Sequence, residues 1–143
     1  MAEPAPRLVD LLSAAQRLVA KEVGEELEGA AGIPLDHWRA LRLLDPRTGL
    51  NMRDLAERLL LPPATVTRVV DSLVDRGLAY RHPSSRDRRQ IDVFLSAAGE
   101  ELIEPLEQVA ERGEARAIAA AGFRDVEELV GALRALTSAQ AMR

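Results

Sequence analysis

Residues 51–95, NMRDLAERLLLPPATVTRVVDSLVDRGLAYRHPSSRDRRQIDVFL, decide the fold. Asn51 with Asp54 three residues on has the spacing of a helix N-cap, and Met52, Leu55, Ala56 and Leu59 give that helix a buried stripe. Leu60-Leu61-Pro62-Pro63 is a turn, with Pro63 tolerated at a first helical position. The next helix places Val66, Val69, Val70, Leu73 and Val74 on one side and runs to about Arg76, where Gly77 is suited to end it in a left-handed conformation. Residues 78–82 and 90–95 then read as two strands, Ile91, Val93 and Leu95 sharing a face. Helix, turn, helix and hairpin in that order make a helix-turn-helix followed by a wing.

The flanks are helical. From Arg7 to Leu27 the residues Leu8, Leu11, Leu12, Ala15, Leu18, Val19, Val23 and Leu27 recur at three- and four-residue steps, which predicts one long amphipathic helix. A second helix over about 35–44 turns Trp38, Leu41 and Leu44 inward, and Asp45-Pro46-Arg47-Thr48-Gly49 is turn chemistry. Ser96 is suited to cap a helix from Ala97 to about Ala120, with Leu102, Ile103, Leu106, Val109 and Ala110 along its seam. Gly122 interrupts it; Asp125 with Glu128 starts a last helix lined by Val126, Leu129, Val130, Leu133 and Leu136. The expectation is a mainly α single domain with a small β-hairpin wing: a winged helix-turn-helix over 34–96 between dimerisation helices at 7–30 and 97–143.

Composition narrows the function. The 143 residues hold no cysteine and two histidines, so disulfides, thiolate zinc sites, thiol redox switches and a three-histidine metal site within one chain are excluded. No apolar run approaches the ~18 residues that span a bilayer, and the N-terminus lacks a signal core, so a cytoplasmic protein with no membrane partner is expected. Net charge is −4, but residues 51–96 carry eight basic and six acidic side chains, against six and eight before them and five and nine after. The chain would therefore meet a polyanion through one local face.

That face has two parts. On the second helix of the motif, Ala64, Thr65, Thr67, Arg68 and Asp71 lie opposite the apolar stripe; short polar groups suit phosphates, and an arginine can fork onto a guanine edge in the major groove. The alternative is a solvated helix face with Arg68 paired to Asp71. At the hairpin tip, Arg86, Arg88 and Arg89 surround Asp87, which cannot neutralise all three; such a cluster fits phosphates or a narrow minor groove. A solvated arginine loop is the plainer alternative there.

The runs Leu55-Ala56-Glu57-Arg58-Leu59, Thr65–Leu73 and Arg76-Gly77-Leu78, with Asp87-Arg88-Arg89 and Leu95-Ser96-Ala97-Ala98-Gly99, resemble the MarR (multiple antibiotic resistance regulator) family over about residues 8–136. The resemblance implies a homodimeric winged helix-turn-helix regulator that binds double-stranded, pseudo-palindromic operators, often as a repressor relieved by a ligand. It also implies that Asp87 braces the wing, that Arg89 is the arginine of the Asp-x-Arg motif, and that Arg86 and Arg88 support it. Thr65, Thr67 and Arg68 fall where the family's recognition helix faces DNA. Pro62-Pro63 departs from the Ser/Thr-type cap usual there.

The resemblance further implies an effector crevice between the flanking helices and the winged region. His37, Trp38 and Arg42 are its candidates, for a small anionic or aromatic compound, although core packing for Trp38 and surface pairing for His37, Arg39 and Arg42 explain them as well. No cofactor is expected. An enzyme is the weaker class: the carboxylates at Glu100, Glu101, Glu104, Glu107, Glu111 and Glu114 have no nucleophile, phosphate loop or metal-spaced histidines beside them. The stronger competitor is a winged-helix module that binds protein rather than DNA.

Overall fold

The computed structural model describes residues 1–141; Met142 and Arg143, at the end of the expected helical span 97–143, lie outside the described residues. Six helices and three short strands follow one another as α1 (Leu8–Ala31), α2 (Leu35–Leu43), β1 (Leu50–Asn51), α3 (Met52–Leu59), α4 (Pro63–Asp75), β2 (Ala79–Pro83), β3 (Ile91–Leu95), α5 (Ala97–Ala121) and α6 (Val126–Ala141). Mainly helical with a small antiparallel sheet, the chain has the winged helix-turn-helix architecture its sequence predicts.

The capping chemistry fixes where the elements begin and end. Asn51 Oδ1 accepts from the Asp54 N–H at 2.8 Å, and its amide donates back to the Asp54 carboxylate at 3.0 Å. Ser96 does more: its hydroxyl accepts from the Gly99 N–H at 3.0 Å and donates to the Gly77 carbonyl at 2.7 Å, tying the start of α5 to the end of α4. Asp125 caps α6 by accepting from the Glu128 N–H.

Two features depart from expectation. The first is β1, which pairs antiparallel with β3 through Leu50↔Val93 and Asn51↔Asp92 and makes the sheet three-stranded, in the order β1-β3-β2. Two residues are too few for an alternation to show. The second is Leu60, which ends α3 at φ 56° as the one non-glycine residue with positive φ among those described. Its side chain stands in solvent, so the tight turn comes from the backbone pairing Leu61 N–H to Ala56 C=O rather than from packing. Strand limits also move by one, because the Leu78 N–H closes the α4 cap on Leu73 and its carbonyl accepts from Ser96.

One core joins the winged region to parts of α1 and α5. Leu27, Leu41, Leu55, Leu59, Val66, Val70, Leu73, Val93 and Leu106 are fully buried. The apolar stripe of α1 divides: Val23 and Leu27 enter this core, while Leu8, Leu11, Leu18 and Val19 remain exposed. On α6, Leu129, Val130, Leu133 and Leu136 are exposed and Val126 is half-buried.

Two glycines mark close approaches. A Cβ on Gly113 would stand 2.6 Å from the Val23 Cα, so the absent side chain sets how near α5 comes to α1. A Cβ on Gly99 would overlap the Leu78 carbonyl oxygen and crowd Leu95. Gly99→Ala is expected to lower stability by about 1–3 kcal/mol, the usual cost of overpacking. A reduced denaturation midpoint in urea checks this; an unchanged midpoint would show that α5 shifts without penalty.

Candidate nucleic-acid interface

Helix α4 and the β2–β3 wing are packed together, and each presents its polar side outward. On α4 the residues Val66, Val69, Val70 and Leu73 are buried and Val74 is partly so. The opposite side exposes Ala64, Thr67, Arg68 and Asp71, with Thr65 half-buried at the margin. Pro62 holds the N-cap position without a side-chain hydrogen bond, so no side-chain oxygen occupies the first-turn N–H groups of α4. The positive end of the helix dipole is thereby left to solvent or an incoming anion. Thr67 donates its hydroxyl to the Pro63 carbonyl at 3.0 Å, which keeps the hydroxyl against the helix.

Asp71 is not the partner of Arg68. Its carboxylate is taken by Arg81 of β2. Arg68 has no ion-pair or hydrogen-bond partner among the described residues.

The wing tip is held by its own backbone. The Ser84 N–H donates to Gln90 C=O and the Gln90 N–H to Asp87 C=O, both at 2.9 Å. Asp87 Oδ1 accepts from the Arg89 N–H at 3.0 Å, and the buried Ser84 hydroxyl accepts from the Arg86 N–H at 3.2 Å. Asp87 therefore acts mainly on main chain. Its ion pair with Arg89 is loose, at 3.7 Å with the arginine side chain 94% exposed, which leaves that charge largely available. Arg86 and Arg88 have no carboxylate partner among the described residues.

Behind the tip, Tyr80 and Phe94 stack across the strands with ring centroids 5.3 Å apart, and His82 meets Phe94 edge-on. Gly49 lies under the Phe94 ring, where a Cβ would collide with it at 2.6 Å. A polar cleft of about 410 Å³ opens between the 47–54 segment and residues 84–94. The sequence alone does not reveal these contacts or the cleft, because cross-strand register depends on a loop length that it leaves open.

The effector candidates do not form one site. Trp38 is buried, and its indole N–H has no acceptor among the described residues. It lines a cleft of about 170 Å³ with Gln16, Val19, Ala20, Val23, Leu35 and Glu114. Arg42 lies over the Trp38 ring at 4.8 Å and is ion-paired with Glu107 of α5. Arg39 is likewise occupied, donating to the Leu59 carbonyl at 2.7 Å and to Asp36 at 3.2 Å. His37 does not line the Trp38 cleft.

Burial, aided by the positive charge of Arg76, lowers the His37 pKa below its ordinary 6.5. The folded state thus favours the neutral ring, and the unfolded chain binds the proton first as pH falls. Stability carried by the neutral ring is complete above pH 6.5 and is lost on acidification through and below it. His37→Gln should flatten that part of the stability–pH curve, measured as melting temperature between about pH 7.5 and 5. Parallel curves for the two proteins would exclude His37 as the source.

No group of three or more His, Cys, Asp or Glu side chains is arranged to hold a metal among the described residues. Of the α5 carboxylates, Glu107 is engaged by Arg42 and the others stand in solvent, except that Glu114 also borders the Trp38 cleft. No described helix is long and apolar enough to cross a membrane.

Comparison with known proteins places this geometry. Residues 31–90 match the model of the MarR family. The HTH-type transcriptional regulator FarR of Neisseria gonorrhoeae is 34% identical over 86 residues, which are 59% of this chain and 59% of FarR, so the match spans less than two thirds of that relative. Among solved structures, the transcriptional regulator BldR of Sulfolobus solfataricus superposes with a TM-score of 0.80 at 23% identity, covering 92% of each chain. A MarR transcriptional regulator from Methanosarcina mazei superposes with a TM-score of 0.77 at 24% identity, covering 94% of this chain and 96% of its own. The chain is thus similar to the MarR family through residues 31–90, and it shares the fold of a solved MarR regulator along nearly its full length.

Proposed function

We propose that this chain is a sequence-specific DNA-binding transcriptional regulator, a homodimer that represses from inverted-repeat operators. The observation that carries the reading is the unpaired cation set: Arg68 on the outer side of α4, and Arg86, Arg88 and a loosely held Arg89 on the wing. Arginines kept clear of carboxylates, in a chain of net charge −4, are positioned for a polyanion. Ala64, Thr65 and Thr67 bring the uncapped start of α4 close to phosphates and base edges. Arg68 reads a base edge, and the wing arginines contact flanking phosphates or the minor groove. Asp87 braces the tip.

A second copy of the chain is the partner favoured for the exposed apolar residues of α1 and α6. Both stripes lie outside the winged region's core, and a two-fold pairing would cover like against like. Relief by a small molecule would act at the Trp38 cleft, which Gln16, Leu35 and Glu114 line beside the tryptophan. At about 170 Å³ it suits a compound smaller than those held in pockets of roughly 300–1,000 Å³. Arg42 would contribute to such a site through its contact with Trp38 and not as a free cation; His37 would act only from outside it.

Selection of bound duplexes from a random library by the purified chain tests this function. The expected product is an inverted repeat with half-sites about 10 bp apart. Failure to enrich any motif with folded, dimeric protein would shift the assignment to a winged-helix module that binds protein.

A further inference from the structure

The ion pair between Arg81 and Asp71 has a consequence for how α4 would read DNA. Asp71 stands three residues after Arg68 on the same exposed side of the helix, the spacing at which an aspartate and an arginine pair by default. It is instead held by a residue from another element. Arg81 sits in β2 opposite Val93, between Ala79 and Pro83 on the sheet face that also carries the buried Leu95. From there its guanidinium reaches back to the Asp71 carboxylate. The arginine side chain is 33% exposed and the aspartate 53%, so the pair lies at the edge of the α4–wing junction. Arg76, the arginine that follows Arg68 along the chain, donates to the Gly32 carbonyl and does not compete for Asp71.

We propose that Arg81 is a positioning residue for base reading: by holding Asp71 it neutralises the carboxylate three residues from Arg68 on the exposed side of α4 and keeps Arg68 free for the groove. The inference rests on α4 being the DNA-reading helix. Without Arg81, Asp71 becomes an unpaired anion facing phosphates and takes Arg68 as its partner at i−3. One lost cation on β2 then removes a second cation, on α4, from the interface. Arg81 itself makes no base contact in this account, because its guanidinium is already engaged.

The distinguishing feature is therefore rescue by removal of a charge. Affinity for the duplex most enriched by the parent chain is to be measured by fluorescence anisotropy for the parent, Arg81→Ala, Asp71→Asn, the double variant and Arg81→Lys, each checked for folding by thermal melting. Arg81→Ala should weaken binding about tenfold or more, the scale of a lost arginine–base contact, and relax the preference at the base pair that Arg68→Ala also relaxes. Asp71→Asn added to Arg81→Ala should restore affinity to within about threefold of the parent, which is the non-additivity that coupled neighbours show. Arg81→Lys, which keeps the charge that holds Asp71, should lose less than Arg81→Ala.

A double variant as weak as Arg81→Ala would mean that Arg81 contacts DNA directly, and would overturn the proposal. Parental affinity and specificity in Arg81→Ala would overturn it as well. Absence of saturable binding by the parent would instead overturn the DNA-reading assignment, and this inference with it.

Discussion

Replacing Arg86, Arg88 and Arg89 together by alanine is expected to weaken operator binding by about 100-fold at physiological salt while leaving the fold intact. All three side chains are exposed and none enters the core, so the melting temperature should stay close to the parent's. The loss should be electrostatic in character. Each phosphate contact contributes about 0.9 to the slope of log affinity against log salt, so removing three phosphate-contacting cations per protomer should flatten a dimer's slope by about 5. Titration of both proteins against one duplex across a salt series checks this. An unaltered slope would mean that the wing stays off the DNA. Asp87→Ala provides the contrast: it deletes no cation but releases the Arg89 N–H, so it should weaken binding by loosening the tip without flattening the slope comparably.

Introducing Leu129→Glu with Leu133→Glu should separate the proposed dimer into monomers and cost at least about 100-fold in affinity for a two-half-site duplex. The reason lies in what α6 lacks. Leu129, Val130, Leu133 and Leu136 are 38%, 39%, 38% and 51% exposed and none belongs to the buried core cluster, so the substitutions leave that core intact. Across a two-fold interface the same glutamates would be buried without partners, a penalty of several kcal/mol each. A monomer binds one half-site at a time and loses the high effective concentration that joins the second. Sedimentation would report the mass directly. A variant that remains dimeric would move the interface away from α6, leaving the exposed Leu8, Leu11, Leu18 and Val19 of α1 as the alternative contact.

Local chemistry made most of the fold legible. Asn51 with Asp54, Ser96 before Gly99 and Asp125 before Glu128 are caps whose hydrogen bonds close within a few residues, and each is present in the structure. Gly77 ends α4 at φ 71° for the same kind of reason, since a left-handed position favours glycine. The motif that ends in Gly99 also acquires a physical cause: its missing side chain lets α5 start directly against the Leu78 carbonyl.

What escaped depends on chain segments far apart in sequence. Strand β1 exists only because Leu50 and Asn51 find the free edge of β3. The candidate site divided in the same way. Arginines at 68, 86, 88 and 89 stood out by type and position, but their lack of carboxylate partners did not. The i+3 spacing suggested that Asp71 would pair with Arg68, whereas a strand brings Arg81 to it. Among the effector candidates, adjacency in sequence suggested that His37 and Trp38 would share a site. Successive residues on a helix point about 100° apart, and only Trp38 lines the cleft.

The central claim, that a dimer of this chain reads DNA through α4 and the wing, is tested most directly by anisotropy on the enriched duplex and on a copy with one half-site scrambled, across a salt series. Affinity should fall steeply as salt rises, and scrambling one half-site should weaken binding about tenfold or more at every salt concentration. Equal binding to both duplexes, with little response to salt, would contradict the account.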